Sequence, residues 1–235
     1  MNSALRREYL QAIGIDTWVQ RGAPIGHPPA ESVLMRADPV PAADGAARER
    51  GVDWPELQAR VAACTRCPLH ATRTQTVFGV GSRQAQWLIV GEAPGAEEDA
   101  RGEPFVGRAG QLLNSMLRAV GLEREQVYIA NVLKCRPPGN RDPVPAEAAE
   151  CLPYLEQQIA LLKPKILLAV GRIAAQNLLR TDSPLGRLRL KVHGFGHSQV
   201  PLIATYHPAY LLRTPADKRK AWEDLKFARE VCARV

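Results

Sequence analysis

The chain has 235 residues, 46% of them hydrophobic, which excludes disorder throughout and allows one core domain with an appendage. No apolar run approaches the 18 or more residues of a membrane span, so we expect no membrane association. The formal charge of +7 lies wholly on residues 51–235, because residues 1–50 hold six basic and six acidic residues. A basic globular domain attracts polyanions, nucleic acid foremost.

The first 50 residues differ in composition from the rest of the chain. Residues 1–22 predict a short helical head, with apolar positions that include Leu5, Leu10 and Ile13. This head is either a docking segment for a partner protein or an inert extension. It has charged residues and no continuous apolar stretch, so it does not indicate a secretory signal. Residues 23–50 are rich in proline and alanine and predict a flexible linker.

From residue 51 onward, short apolar strands alternate with helices. Four strands are predicted, over residues 87–91, 127–133, 166–171 and 202–206. Four helices are predicted, over residues 111–120, 146–162, 172–179 and 216–235, the second of them kinked or restarted at Pro153. This alternation predicts a three-layer α/β/α domain over residues 51–235, with a central, mainly parallel, four-stranded sheet. Its ligand is then expected at the carboxyl ends of the strands.

Four of the five cysteines have the spacing of metal ligands. Cys64 and Cys67 form a C-x2-C turn, Cys135 follows the second predicted strand, and Cys151 comes 16 residues later. Four thiolates that converge from separate segments hold either a structural zinc ion or an iron–sulfur cluster. Clustered thiols without a secretory signal also predict a reducing, cytoplasmic environment. Cys232 lies in the last predicted helix, where we expect a packing role.

The loops after the first predicted strand contain residues suited to a ligand. Gly91 and Gly95 let backbone amides approach a bound group, although the same glycines also suit an ordinary turn. Phe105 lies between turn residues, where its ring either joins the core or forms a stacking platform for a base. Residues 135–143 form a basic, proline-rich loop suited to phosphate contacts or to support of a metal cluster.

Asn131 is a polar residue in an otherwise apolar predicted strand. Buried polar groups need partners, so its amide either satisfies a backbone turn or serves a ligand. An asparagine side chain offers a donor and an acceptor together, the pattern needed for the O4 and N3–H edge of uracil. Cytosine presents the reverse pattern and would be refused.

His207 follows the fourth predicted strand, at the same edge of the sheet. A lone histidine is usually structural, but at this place it can donate a hydrogen bond to a carbonyl on which negative charge grows. Arg213 and Lys218 come soon after it and either contact phosphates or lie on a solvated helix face.

Four short motifs occur in a fixed order along this chain. They cover residues 91–95 (GEAPG), 104–107 (PFVG), 131–137 (NVLKCRP) and 207–209 (HPA). With the four placed cysteines, the chain resembles the family 4 uracil-DNA glycosylases, which are iron–sulfur enzymes of bacteria and archaea. The resemblance covers about residues 55–230 and does not extend to residues 1–50.

The resemblance implies the uracil-DNA glycosylase fold and the hydrolysis of the N-glycosidic bond of deoxyuridine in DNA. That reaction releases uracil and leaves an abasic site for base excision repair. Phe105 would stack on the flipped uracil, and Asn131 would recognise its Watson–Crick edge. His207 would hydrogen-bond O2 and stabilise the departing uracil anion.

The same resemblance assigns roles to residues of the first loop. Glu92, with backbone groups of Gly91 and Ala93, would line the pocket and help to position the attacking water. Glu98 is similar to the acidic residue that closes the space needed by a thymine methyl group. The family lacks the aspartate that activates water in the best-known glycosylases, so catalysis would rest mainly on stabilisation of the leaving group.

The implied cofactor is a structural [4Fe–4S] cluster, and its ligands would be Cys64, Cys67, Cys135 and Cys151. Zinc is the alternative occupant, but the family pattern and the 67-residue gap before Cys135 favour iron. The implied partner is uracil-containing DNA, single- or double-stranded. The head inherits nothing from the resemblance; as a docking segment it would join a replication or repair protein. We expect a monomer associated with the nucleoid. The rival interpretation is a non-catalytic iron–sulfur accessory protein of replication or repair that binds DNA.

Overall fold

The computed structural model describes residues 52–196 and 199–235. The predicted head over residues 1–22 and the predicted linker over residues 23–50 lie outside the described residues. In the described part, no helix is both long enough and apolar enough to cross a membrane.

One mixed sheet of six strands runs through the described part of the chain. Its strands are β1 (Val80–Gly81), β2 (Trp87–Gly91), β3 (Tyr128–Asn131), β4 (Ile166–Val170), β5 (His193–Phe195) and β6 (Val200–Thr205). Across the sheet their order is β1-β3-β2-β4-β6-β5, with the four inner strands parallel and both edge strands antiparallel. The predicted fold class is confirmed, and the four predicted strands are the parallel centre.

The two edge strands extend the sheet beyond the four strands predicted from the sequence. The strands β1 and β5 have two and three residues, and each contains a glycine, so neither shows an apolar run. Both are formed by antiparallel pairing with a longer neighbour, which local sequence does not reveal.

Helices cover both faces of the sheet. In the described residues they are α1 (Trp54–Ala62), α2 (Ala96–Arg101), α3 (Arg108–Ala119), α4 (Pro145–Leu162), α5 (Arg172–Leu179), α6 (Leu185–Leu188), α7 (Pro208–Arg213) and α8 (Lys218–Arg234). The helix does not restart at Pro153, because α4 continues through this residue. The proline removes a hydrogen bond to the carbonyl of Ala149, and Ala149 is exposed, so water can satisfy that group.

Alternate residues of the inner strands face two hydrophobic clusters. In β2, Leu88 and Val90 belong to the cluster formed with α4 and α5, whereas Trp87 and Ile89 belong to the cluster formed with α3 and α8. Successive side chains of a strand point to opposite faces, so a strand covered on both sides is apolar throughout. These two clusters are the two interfaces of the three-layer fold.

The carboxyl ends of the parallel strands meet at one edge of the sheet. Gly91 at the end of β2 lies beside Asn131 at the end of β3, and Val170 of β4 pairs with Thr205 of β6. His207 comes two residues after that threonine. The strand register therefore brings the separately predicted loops to the same edge, where ligands of parallel sheets bind.

Candidate active site

A pocket of about 450 Å³ opens at this edge of the sheet, a volume within the usual range of small-ligand sites. Six of the residues singled out from the sequence line it: Glu92, Ala93, Glu98, Phe105, Asn131 and His207. Gly91 lies against the same wall, because a Cβ atom there would come within 2.7 Å of the Phe105 ring. The structure therefore brings together all seven pocket residues predicted from the sequence.

Asn131 presents an unsatisfied acceptor at this pocket. Its side chain is 2% exposed, and within the described residues its Oδ1 atom has no hydrogen-bond partner. A Cβ atom at Gly91 would collide with this oxygen, so glycine at that position keeps the space open. A buried amide oxygen without a donor costs stability until a ligand or water supplies one. The carboxamide thus lacks the hydrogen-bond donor that a bound molecule would supply.

Phe105 and His207 form adjacent aromatic walls. The centroids of their rings are 5.6 Å apart, with the ring planes inclined by 31°. Phe105 is 6% exposed and has φ of 54°, in the left-handed region that is strained for a bulky residue. Such strain persists only where the surroundings hold the backbone in place.

Glu98 supplies that restraint. One carboxylate oxygen accepts hydrogen bonds from the backbone amides of Val106 and Gly107, at 3.0 and 3.3 Å. The other oxygen accepts from the amide of Gly95, at 3.1 Å. The carboxylate therefore joins helix α2 to the loop that carries Phe105, a contact that no sequence pattern indicated.

The imidazole of His207 is neutral with a defined tautomer. Its Nδ1 atom accepts a hydrogen bond from the backbone amide of Ala209 at 3.1 Å, so the ring proton is on Nε2. Burial, and secondarily the charge of Arg213, lower the pKa of His207 to about 4, against an opposing effect of Glu98. At neutral pH the residue is therefore an uncharged hydrogen-bond donor.

Glu92 titrates close to neutral pH. Burial, and secondarily the negative charge of Asp142, raise the pKa of this carboxyl group to about 7, against the opposing positive charge of Arg172. Both the protonated and the ionised forms of Glu92 are therefore present near neutral pH, and the ionised form can accept a proton.

The four predicted metal ligands line one small cavity: Cys64, Cys67, Cys135 and Cys151. Two N–H groups donate to their sulfur atoms, Arg73 Nη1 to Cys135 at 3.1 Å and the Lys134 amide to Cys151 at 3.2 Å. Burial raises the pKa of Cys151 to about 11, so its sulfur is a thiol unless a cationic centre binds it as thiolate.

As the side chains stand, the described residues contain no group of three or more His, Cys, Asp or Glu that could hold a metal ion. His70 and Glu150 also line the cavity, but the His70 ring contacts the Cys67 carbonyl and the Glu150 carboxylate is paired with Arg66. The four sulfur atoms remain, and two of them already receive N–H hydrogen bonds, which fits a thiolate-ligated cluster. Cys232 belongs to α8, is buried in the hydrophobic cluster that this helix forms with α3, and does not line the cysteine cavity.

A family model described as the uracil DNA glycosylase superfamily matches residues 78–226. The match spans more than half of the chain and includes every residue predicted for the pocket. The chain belongs to the uracil-DNA glycosylase superfamily.

Curated relatives place the chain within that superfamily. It is 43% identical over 185 residues to a type-4 uracil-DNA glycosylase of Archaeoglobus fulgidus, covering 76% of this chain and 93% of the relative. Over 180 residues it is 45% identical to a type-4 enzyme of Pyrobaculum aerophilum, covering 74% of this chain and 92% of the relative. A type-5 uracil-DNA glycosylase of Thermus thermophilus is 34% identical over 153 residues, covering 56% and 68%. The resemblance to family 4 is confirmed.

Four polar residues that the sequence did not assign to the pocket also line it: Asn140, Arg141, Tyr210 and Arg213. The guanidinium group of Arg141 donates to both carboxylate oxygens of Glu147, at 2.6 and 2.9 Å. For Asn140 and Arg141, the basic, proline-rich composition of residues 135–143 was the sequence feature that indicated a ligand contact. Tyr210 lies three residues after His207, and only the fold of α7 brings its side chain to the pocket.

Proposed function

We propose that this chain is a uracil-DNA glycosylase that hydrolyses the N-glycosidic bond of deoxyuridine in DNA, releasing uracil and leaving an abasic site. One observation carries the proposal. A single pocket holds the unpartnered amide oxygen of Asn131, the ring of Phe105 and the neutral imidazole of His207. Relatives that are 43% and 45% identical over most of their length and carry this enzyme's name support it.

The substrate base enters the pocket from an extruded nucleotide. A base inside a duplex is out of reach of buried side chains, so it leaves the stack at a cost of a few kcal/mol. The Phe105 ring stacks on the base, and the Asn131 carboxamide pairs with its Watson–Crick edge. The amide nitrogen donates to O4 and the amide oxygen accepts from N3–H, which fits uracil and rejects cytosine.

Bond cleavage leaves its electron pair on the base. As the bond between C1′ and N1 breaks, the negative charge that develops on uracil spreads to O2. The Nε2–H group of His207 donates a hydrogen bond to O2, and a neutral donor in a buried site stabilises such charge without losing its own proton. Water then adds to C1′ and releases a proton.

Glu92 assists the attack of water. Its carboxylate form accepts the proton that water loses on bonding to C1′, and its pKa of about 7 makes that form abundant at neutral pH. This contribution is secondary to stabilisation of the leaving group, which generates the electrophilic C1′.

Glu98 shapes the pocket through the loop that it holds. By accepting hydrogen bonds from Val106 and Gly107, it fixes the position of the Phe105 ring relative to the base. The carboxylate also lines the pocket, where its place supports the role of closing the space that a thymine methyl group would need.

We infer that the four-cysteine cavity holds a structural [4Fe–4S] cluster. Its ligands would be Cys64 and Cys67 after α1, Cys135 after β3, and Cys151 in α4. When bound, the cluster supplies a crosslink between these segments and takes no part in cleavage of the glycosidic bond. Protein purified without air should be brown and contain iron, whereas a colourless, zinc-loaded preparation would favour the alternative metal.

A DNA substrate would account for the positive charge of the chain and for its expected place in the cell. The positive charge of residues 51–235 attracts the phosphate backbone, single- or double-stranded. We infer a monomeric enzyme in the cytoplasm, associated with the nucleoid. The head over residues 1–22 would connect it to a replication or repair protein.

The proposal is tested with a uracil-containing oligonucleotide, single-stranded or paired, followed by alkali, which breaks the strand at abasic sites. The full chain should cleave this strand and leave a matched cytosine strand intact. An oligonucleotide that is bound but never converted would favour the accessory-protein interpretation.

The role of Asn131 is tested in the same assay with Asn131→Asp. A carboxylate at this position accepts from the amino group of cytosine but repels O4 of uracil. We expect measurable excision of cytosine and slower excision of uracil. A folded variant that still excises uracil at the original rate and ignores cytosine would exclude Asn131 as the residue that recognises the base edge.

A further inference from the structure

Lys134 buries a positive charge behind the pocket. Its side chain is 1% exposed, and it is the bulkiest of the fully buried residues in the described part of the chain. Removing an ammonium group from water costs several kcal/mol unless its donors are satisfied. Here Nζ donates to the backbone carbonyl of Asn131 at 2.9 Å and to Oε1 of Gln158 at 2.7 Å. Both hydrogen-bond acceptors are uncharged oxygens, and the lysine also lines the four-cysteine cavity.

Gln158 fixes this ammonium group from helix α4. Its side chain is fully buried, and its Nε2 atom donates to the backbone carbonyl of Phe78 at 2.9 Å. The carbonyl on one side and the ammonium on the other determine which end of the amide faces the lysine. The lysine therefore has a rigid acceptor opposite the Asn131 carbonyl.

The backbone after β3 links the pocket to the cysteine cavity. The amides of Val132 and Leu133 donate to the carbonyls of Gly91 and Glu92, at 2.9 and 3.0 Å. The next amide, that of Lys134, donates to the Cys151 sulfur at 3.2 Å. The chain thus leaves the pocket wall within three residues. Without the lysine side chain, the Asn131 carbonyl would lose its donor at the point where this departure begins.

We propose that Lys134 is a positioning residue for base recognition: its ammonium group, held by Gln158, fixes the backbone of Asn131 so that the carboxamide faces the base. The inference rests on the proposed role of Asn131. Lys134 contacts no base in this arrangement and acts only through the asparagine. Its removal should therefore impair recognition of uracil without weakening the contact of the protein with DNA phosphates.

Lys134→Met tests the proposal, because methionine keeps most of the volume and removes the donor. We expect single-turnover excision of uracil to fall at least tenfold. Affinity for an abasic product strand and the iron content per protein should stay within twofold of the starting enzyme. A folded variant that excises uracil at the original rate overturns the proposal, as does a loss of activity that follows a loss of iron.

A double-mutant cycle separates positioning from general destabilisation, since residues that act through one another are not additive. In an Asn131→Ala background, Lys134→Met should change the rate less than twofold. In a His207→Ala background, which is also slow, it should still reduce the rate at least tenfold. Equal effects in both backgrounds overturn the inference. If Asn131→Ala alone excises uracil normally, the proposed recognition role of Asn131 fails instead.

A second pair of variants decides the matter if Lys134→Met does not fold. Gln158→Leu removes the acceptor for the ammonium group, whereas Gln158→Glu retains one, and both lose the hydrogen bond to Phe78. We expect excision to fall at least tenfold more in the leucine variant than in the glutamate variant, with equal iron content. Equal rates in the two variants overturn the proposal.

Discussion

At the scale of single residues, burial shifts the pKa values of two titratable side chains of the pocket in ways that suit their proposed tasks. His207 becomes a weaker base, with its pKa lowered to about 4, and Glu92 becomes a weaker acid, with its pKa raised to about 7. Each shift favours the uncharged form, as desolvation does. At neutral pH His207 remains a neutral hydrogen-bond donor, while Glu92 begins to ionise.

The first prediction concerns the pH dependence of excision. The base form of Glu92 grows as pH rises through about 7, so the single-turnover rate should rise from about pH 6 and level off above about pH 8. His207 stays neutral throughout this range and contributes no slope. Glu92→Gln should lower the plateau by about 10²-fold and flatten the profile. An identical profile in the glutamine variant would show that another group causes the slope.

The second prediction concerns the leaving group. His207→Ala removes the proposed donor to O2 of uracil, and the loss should be about 2.7–4 kcal/mol of transition-state stabilisation, as for one oxyanion-type donor. Single-turnover excision measures it. Affinity for an abasic strand is the control and should change little. Excision at the original rate would remove His207 from the mechanism.

At the scale of elements, the pocket is assembled by contacts between one element and the loop of another. Helix α2 has only six residues, yet the Glu98 carboxylate within it accepts hydrogen bonds from three backbone amides. One of these amides, that of Gly95, is at the start of the helix, and the other two belong to the Phe105 loop. The strained backbone of Phe105 depends on this anchor.

The third prediction tests that anchor with Glu98→Ala. The amides of Val106 and Gly107 lose their acceptor, and each buried amide left unsatisfied costs about 1–3 kcal/mol. We expect a lower unfolding free energy together with slower excision. Glu97→Ala is the matched control, because its exposed side chain lies on the same helix and makes none of these hydrogen bonds. Two variants with equal stability and equal rates would contradict the anchoring role.

The sequence predicted the elements that have a strong local pattern. Buried parallel strands are apolar throughout, and their carboxyl ends meet at one edge, so Gly91, Asn131 and His207 could be placed together before the fold was known. The edge strands, the anchor at Glu98 and the buried ammonium of Lys134 depend on contacts between distant segments. A glutamate in the first turn of a short helix, or a lysine before a cysteine, gives no local sign of these contacts.

At the scale of the whole molecule, the cysteine cavity joins segments that the sheet alone does not connect. Helix α1 packs through Leu57 and Val61 against the same cluster that contains Cys135 and Cys151. A metal centre in that cavity would add a crosslink to this packing and hold α1 against α4.

The fourth prediction removes one ligand of that crosslink. Cys151→Ala should abolish iron binding, and loss of a structural metal belongs to the changes that cost more than about 4 kcal/mol of stability. Iron content and thermal unfolding measure the effect. Cys232→Ala is the control, since this cysteine is buried away from the cavity and should leave the iron content unchanged. Full iron content in the Cys151 variant would contradict its assignment as a ligand.

The short antiparallel margins of the sheet have a consequence for self-association. A long, flat outer strand exposes a row of unpaired amides and carbonyls that can recruit a second polypeptide by strand addition. In the described chain the outermost strands have only two and three residues. They leave little room for such recruitment, so the margins of this sheet offer few backbone groups on which copies of the protein could polymerise.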